Sequence, residues 1–266
     1  MLPYIGLSYL EIFGIKLYIW GAFAALGFFV GLMLLMRVGN QPEADPPRAG
    51  KIRLNQDHLL NLFFWIMTAA MLGGRIFEVL IYNPGYYFAH PAEIIKFWEG
   101  GMSSFGGILG ALVAFVVYIK AKKLSWREYA DALIYPLPLG LGIGRIGCFI
   151  LNEHPGRLTN FFLGVRYPDG VRHDLGLEFA ILDFFIFAVL AFAMRRYKPG
   201  IITGLFVFTY FPLRFFLEFL RAGDLPMSDA RYCNLTPAQW GSLLIIFVAT
   251  VLLALRSAKA RRSVDK

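Results

Sequence analysis

Arginines and carboxylates recur at helical spacing inside runs that are otherwise apolar. In LGGRIFEVLIY (72–82), Arg75 and Glu78 stand three residues apart, on one face of a helix. In GLGIGRIGCF (140–149), Arg145 sits among glycines 140, 142, 144 and 147. In TYFPLRFFLEFLR (209–221), Tyr210, Arg214, Glu218 and Arg221 follow at intervals of four, four and three, a single stripe at 3.6 residues per turn. Pro212 interrupts the backbone hydrogen-bond ladder beside that stripe. An ionised side chain within lipid costs about 2.5–3.5 kcal/mol on insertion scales, so it persists where it is paired or faces a wet cavity. Arginine is suited to phosphate, because its planar fork makes two parallel charged hydrogen bonds. Two chemistries fit these residues. One is structural pairing, Arg75 with Glu78 and Arg214 with Glu218; the other is a site for an anionic ligand.

The elements that carry these residues follow from composition. The chain has 266 residues, of which 58% are hydrophobic and 17% charged, with 26 phenylalanines. A soluble domain is about 45–50% apolar and about 25% charged, so an ordinary water-soluble globule is excluded, as is a disordered chain. Seven runs reach the roughly 20 apolar residues that a transmembrane helix needs. They lie near 17–36, 58–82, 102–119, 129–151, 177–194, 200–220 and 237–255. The runs are continuous rather than alternating, which predicts helices and not a barrel. The expectation is an all-α, polytopic integral membrane protein with seven transmembrane helices, forming a single transmembrane domain over 1–266. The first apolar run has neither a basic segment before it nor a small-residue cleavage site after it, so it is expected to be retained.

The net charge of +8 sorts by side. Sixteen of the 26 basic residues fall in the first, third and fifth connections and the tail: Arg37, Arg48, Lys51, Arg53, Lys120, Lys122, Lys123, Arg127, Arg195, Arg196, Lys198, Arg256, Lys259, Arg261, Arg262 and Lys266. Seven fall on the other side, and three, Arg75, Arg145 and Arg214, lie within spans. The basic side is cytoplasmic, which predicts the N-terminus outside, the C-terminus in the cytoplasm and an extracytoplasmic loop at about 152–176. The charge therefore orients the chain and is no sign of nucleic acid. Cys148 and Cys233 give no disulfide framework. Cys148 is read as a packed thiol and Asp183 as paired with a neighbouring helix. Tyr18, Trp20, Tyr86, Tyr87 and Trp98 are read as an interfacial belt, and QPEADPPRAGKIR (41–53) as a solvated cytoplasmic loop. In this orientation Arg75, Arg145 and Arg214 all fall past the midpoints of their spans, and Ser103, Ser104 and Glu178 share that height. Gly106, Gly107 and Gly110 would let helices pack closely there. Three arginines at one depth favour the ligand reading: a cavity for an anionic phospholipid, open toward the outer leaflet.

The segments LGGRIFEVLIYN (72–83), WEGGMSSFGGILG (98–110), PLGLGIGRIGCFILNEHPGR (138–157) and GLFVFTYFPLRFFLEFLRAGD (204–224), with Gln239 in PAQW, resemble the prolipoprotein diacylglyceryl transferase family. The resemblance implies a multi-pass protein of the bacterial cytoplasmic membrane. It implies transfer of the diacylglyceryl group of phosphatidylglycerol to the lipobox cysteine thiol of a prolipoprotein signal peptide, forming a thioether and releasing glycerol 1-phosphate. Arg145 and Arg214 would hold the phosphate, with Arg75, Arg221 and Gly156 among the substrate-binding residues. Glu153, Glu218 and Arg221 would order the site, and Tyr210 would supply a hydroxyl. No cofactor and no metal are implied.

The chain departs from the family pattern at several positions. The family's GGMSFHGG-type histidine is Phe105, the Asn of its GRxGNF segment is Cys148, and its next Asn is Leu151. Its first-span tyrosine aligns with Trp20. Its His-Pro-x-Gln-x-Tyr-Glu run reads His173-Asp174-Leu175-Gly176-Leu177-Glu178. His154, His173 and Glu178 are the candidates to replace the missing base, or arginines alone could lower the pKa of the substrate thiol. Phe105 also leaves open a divergent paralogue that binds anionic lipid or lipoprotein precursor without transfer. A transporter would use the same buried charges, but the sequence lacks the paired broken helices of inverted repeats.

Overall fold

The computed structural model describes residues 1–12, 15–39, 54–96, 101–194, 200–225 and 231–264; for residues 12, 15, 104 and 256–264 the backbone alone is described. The loop at 41–53 with Arg48, Lys51 and Arg53 lies outside the described residues, as do Trp98, Arg195, Arg196 and Lys198. So do the side chains of Ser104, Arg256, Lys259, Arg261, Arg262 and Lys266.

Most of the chain is helical. A hairpin of β1 (Tyr9–Ile12) and β2 (Ile15–Tyr18) leads into α1 (Ile19–Gly39). Next come α2 (Gln56–Phe77), with a π turn over Glu78–Tyr82, and the short α3 (Pro84–Ala89). They are followed by α4 (Ser104–Ala121), α5 (Trp126–Ile134) and α6 (Leu137–Leu151). Strands β3 (Pro155–Leu158), β4 (Val165–Tyr167) and β5 (Gly170–Asp174) precede α7 (Leu175–Met194), α8 (Ile201–Leu217) and α9 (Pro237–Val264). Among the described residues, six helical stretches are long and apolar enough to cross a membrane: Ile19–Gly39, Gln56–Tyr82, Trp126–Leu151, Leu175–Met194, Ile201–Leu220 and Pro237–Leu255. The run expected near 102–119 forms the shorter α4. Large apolar side chains such as Phe28, Phe29, Phe64, Trp65, Phe192 and Phe247 point outward, as lipid-facing helices require.

The chain divides into two compact units, one of residues 1–35, 44–51 and 134–266, the other of 36–43 and 52–133. In the second unit, Asn55 caps α2 by accepting from the amides of Asp57 (2.8 Å) and His58 (3.2 Å). Ser103 does the same for α4 at Gly106 (3.3 Å). Small residues let the two helices meet backbone to backbone, as the glycine spacing led one to expect. A β-carbon at Gly73 or Gly106 would collide with the carbonyl of the other, and one at Gly110 with the carbonyl of Ala69.

In the first unit the core is one face of α7 against α8: Leu175, Phe179, Leu182, Ile186, Leu190 and Ala193 with Ile202, Phe206 and Tyr210. Glycines again set the neighbours. Gly147 of α6 takes Trp20 and Phe23 of α1, and a side chain at Gly142 would come within 3.2 Å of the Asp183 β-carbon. Helix α8 runs on through Pro212 and ends at Leu217, followed by a 3-10 turn at Glu218–Leu220. The expected stripe therefore stops short: Arg221 is on extended backbone, because the apolar run gives way to Arg221-Ala-Gly-Asp224.

The sequence reading had no strands. The loop at 152–176 contains an antiparallel sheet in the order β3-β5-β4. Its polar interior explains why the pattern is hard to see. Arg172 on β5 is only 3% exposed and donates to Asp169, to Asp224 and to the carbonyl of Gly156 (3.0 Å). Asp174 at the end of β5 accepts from the Tyr167 hydroxyl (2.6 Å) and from the amide of Leu177 (2.9 Å), so it caps α7. The chain start docks on the same sheet: Leu2 bridges Val165, and the amides of Ile5 and Gly6 donate to Asn152 Oδ1 at 3.1 and 2.9 Å.

Two outcomes are expected. Gly106→Leu destabilises the second unit by about 1–3 kcal/mol through overpacking, whereas Gly107→Ala, whose β-carbon would stand 3.4 Å from the Ala70 carbonyl, is tolerated; thermal unfolding in detergent separates the two. The Arg172 guanidinium holds the carboxyls of Asp169 and Asp224 below the usual range, while burial pushes Asp174 up. A depressed carboxylate contributes stability above its unfolded pKa of about 3.9 and loses it as pH falls through the lower folded value. Hydrogen exchange over 155–174 should therefore be faster in Arg172→Met than in the unmodified chain at neutral pH. The difference should close below about pH 4, because Asp174 is common to both proteins and cancels.

Candidate functional site

Helices α6 and α8 of the first unit each carry a guanidinium toward one aromatic ring of α7. The Arg145 guanidinium lies over the ring of Phe179 at 5.2 Å, and that of Arg214 lies over the same ring at 4.9 Å. Phe179 is fully buried in α7, so the ring is a fixed platform that holds two like charges near one another by cation–π attraction. Arg214 donates to the Tyr210 hydroxyl at 3.2 Å, one turn back along α8. Tyr210 in turn stacks on Phe206 at 5.0 Å. Among the described residues, neither Arg145 nor Arg214 has a carboxylate within ion-pair distance. The pair of Arg214 with Glu218, the structural alternative to a ligand site, is not made.

Asp183 belongs to the same cluster. It lies one turn beyond Phe179 on α7, is 1% exposed, and feels the charges of Arg145 and Arg214. Its Oδ1 is buried without a hydrogen-bond partner. The sequence reading paired this carboxylate with a neighbouring helix. The structure instead leaves it near two cations without closing a salt bridge.

Glu218, Arg221 and Gly156 come together at the helix end. Glu218 is 1% exposed and accepts from Arg221 Nε at 2.5 Å. Arg221 forms a β-bridge with Gly156, and Ala222 N donates to the Pro155 carbonyl at 3.3 Å. Gly156 has no room for a side chain: a β-carbon would sit 2.6 Å from that of His173 and 2.7 Å from the Leu220 carbonyl. These three residues splice the β3-β5-β4 sheet onto the end of α8. Gln239 is buried and holds the same region, donating to the Phe215 carbonyl at 3.1 Å.

Glu153 is exposed just past the left-handed turn at Asn152 (φ 55°). That turn folds the chain back so that Cys148, Glu153 and His154 bring one donor atom each within 4.8 Å of one another. No metal-ligand cluster was expected. The Cys-x4-Glu-His order hides it, since only the reversal at Asn152 makes the three neighbours. Cys148 is buried in α6 beside Trp20 and Arg145, as a packed thiol would be.

Arg75 belongs to the other unit. Its guanidinium is 8% exposed and donates to the carbonyls of Ile94 (2.9 Å), Gly101 (2.8 Å), Glu93 (2.5 Å) and Lys96 (3.3 Å), under the ring of Tyr87. Glu78 accepts from Asn83 at 2.7 Å. Phe105, at the position of the family's histidine, is exposed on α4. The alternative base candidates His173 and Glu178 meet at 2.5 Å, and the second Glu178 oxygen is buried without a hydrogen-bond partner.

Sequence reasoning missed Phe179 as the platform and Asp183 as a member of the site. A lone Asp in the run LEFAILDFF is a visible signal, whereas one Phe among 26 offers none.

Comparison with known proteins follows this geometry. A family model for prolipoprotein diacylglyceryl transferase matches residues 8–255. A phosphatidylglycerol–prolipoprotein diacylglyceryl transferase of Cupriavidus metallidurans is 36% identical over 219 residues, covering 76% of this chain and 81% of the relative. One of Nitrosomonas europaea is 36% identical over 233 residues, covering 86% and 83%. One of Geobacter sulfurreducens is 35% identical over 210 residues, covering 77% and 78%. With its arginine-bearing segments inside the matched region, the chain belongs to the prolipoprotein diacylglyceryl transferase family.

Proposed function

We propose that this protein moves the diacylglyceryl group of phosphatidylglycerol onto the lipobox cysteine thiol of a prolipoprotein signal peptide. The observation that carries the site assignment is the pair of guanidiniums, Arg145 and Arg214, held over one buried ring without carboxylate partners among the described residues. The thiol loses its proton and the sulfur pair forms a C–S bond to the glycerol carbon. The C–O bond to phosphate breaks, and its electron pair stays on the phosphate oxygen. The leaving glycerol 1-phosphate then carries one more negative charge than the diester did. Two arginines aimed at that oxygen stabilise the charge as it develops. Tyr210 orients Arg214, and its hydroxyl oxygen already accepts from that guanidinium. Glu218, Arg221 and Gly156 fix the outer sheet at the mouth of the site, with Glu153 beside it. Arg75 acts in its own unit by gathering the carbonyls of Glu93, Ile94, Lys96 and Gly101 rather than by binding lipid directly.

The proposed setting is the bacterial cytoplasmic membrane, with the chain working as one transmembrane domain. Its seventh span is α4, whose 18 residues reach about 27 Å. The proposed topology is N-terminus outside and C-terminus in the cytoplasm, with loop 152–176 extracytoplasmic. It is supported by the sixteen basic residues on one side against seven on the other.

The purified protein, given phosphatidylglycerol vesicles and a lipobox peptide, is expected to yield a heavier, thioether-linked peptide by mass spectrometry. Arg145→Ala and Arg214→Ala should each lower the rate by at least about 10²-fold; full activity in both would sink the assignment. Phe105→His separates this reading from a non-transferring paralogue. A paralogue gains activity only with the histidine in place, whereas a transferase is active as Phe105.

A further inference from the structure

Conversion of a thiol to a thioether releases a proton, and the residue facing outward at position 105 cannot take it. The buried cluster offers an acceptor. We propose that Asp183 receives the thiol proton, so that transfer proceeds with no change in the total charge enclosed among Arg145, Arg214 and Asp183. The inference rests on the transferase reading above.

Three observations place Asp183 for this task. It is 1% exposed, and its Oδ1 is buried without a hydrogen-bond partner. A buried carboxylate oxygen left in that state costs free energy unless another donor meets it during function. Asp183 is also four residues beyond Phe179, so it projects from the face of α7 whose ring both guanidiniums touch. Gly142 brings α6 close against it, since a β-carbon there would stand 3.2 Å from the Asp183 β-carbon and 3.0 Å from the Phe184 ring. The charged and titratable groups facing it are Arg145 from α6, and Arg214 and Tyr210 from α8.

Charge conservation gives the assignment its physical content. Before transfer, ionised Asp183 and the phosphodiester each carry one negative charge against two arginines. The S–H bond breaks and its proton goes to Oδ1; the C–S bond forms, and the C–O bond breaks onto phosphate. Afterwards Asp183 is neutral and glycerol 1-phosphate carries both negative charges. The sum is unchanged, which matters in a low-dielectric interior where an uncompensated charge is expensive. Asp183 returns its proton to water once the product leaves. The other candidates are less well placed. The charges acting on Glu178 are those of His173 and Asp174, at the start of α7. Glu153 is exposed.

The test uses the full-length protein in detergent with phosphatidylglycerol and a lipobox peptide, following kcat and KM from pH 6 to 9 for the unmodified chain, Asp183→Asn and Asp183→Glu. Lipid binding is read separately, as the rise in melting temperature on adding phosphatidylglycerol. The expected result for Asp183→Asn is a kcat lowered by about 10²–10⁴-fold with KM and the lipid-induced rise retained, and a rate that now climbs with pH as free thiolate accumulates. Asp183→Glu should recover most of the rate. An Asp183→Asn protein within threefold of the unmodified kcat overturns the proposal. Loss of both lipid binding and rate in Asp183→Asn and Asp183→Glu alike also overturns it, because that outcome makes Asp183 a packing residue. An unmodified protein that binds the lipid but forms no thioether overturns the transferase reading itself, before any variant is compared.

Discussion

A cation that leaves water for an apolar interior must be compensated, and the way each buried arginine is compensated decides what the surrounding structure does. Arg75 is met by the main-chain carbonyls of Glu93, Ile94, Lys96 and Gly101. Arg172 is met by two carboxylates at the water edge, which closes a small sheet. Arg145 and Arg214 are met by the face of one phenyl ring and by the field of Asp183. The first two solutions saturate the guanidinium and are structural. The third provides attraction without a carboxylate partner for either guanidinium among the described residues, while Arg214 donates to Tyr210. Complementarity to a charge that appears only in the transition state requires donors of this kind, oriented beforehand and not neutralised.

The rigid parts of the protein serve that arrangement. Phe179 cannot swing away, because it lies in the α7–α8 core with Leu182, Ile186 and Phe206. The glycines of α6 bring its backbone against α1 on one flank and against Asp183 on the other. The splice among Gly156, Arg221 and Glu218 then couples the β3-β5-β4 sheet to the end of α8. A side chain at Gly156 would have to displace both His173 and the Leu220 carbonyl. Its glycine is explained by this close approach of backbones.

The membrane class and the position of nearly every helix could be read from the sequence, because long apolar runs are a one-dimensional signal. Arg145, Arg214 and Tyr210 could be read for the same reason, as polar residues standing in lipid-like text. What could not be read depended on the third dimension. The β3-β5-β4 sheet is built from Pro155–Leu158, Val165–Tyr167 and Gly170–Asp174, strands too short and too polar to show alternation. Spacing alone allows Arg214 to pair with Glu218 as well as to face a ligand, and it does not decide between the two. The helix ends at Leu217, and the 3-10 turn after it turns Glu218 toward Arg221. Arg75 looked equivalent to the other two arginines, since nothing in LGGRIFEVLIY reveals that the carbonyls of Glu93, Ile94, Lys96 and Gly101 meet it.

The docking of Leu2, Ile5 and Gly6 onto Gly164, Val165 and Asn152 joins residues about 150 positions apart. Closing so large a loop is entropically slow but only modestly more costly than closing a short one. Synthesis runs from N- to C-terminus, so residues 2–6 must remain unengaged until α6 and the β3-β5-β4 sheet have been made. This face of the first unit is thus completed late in biogenesis, after the earlier helices have formed.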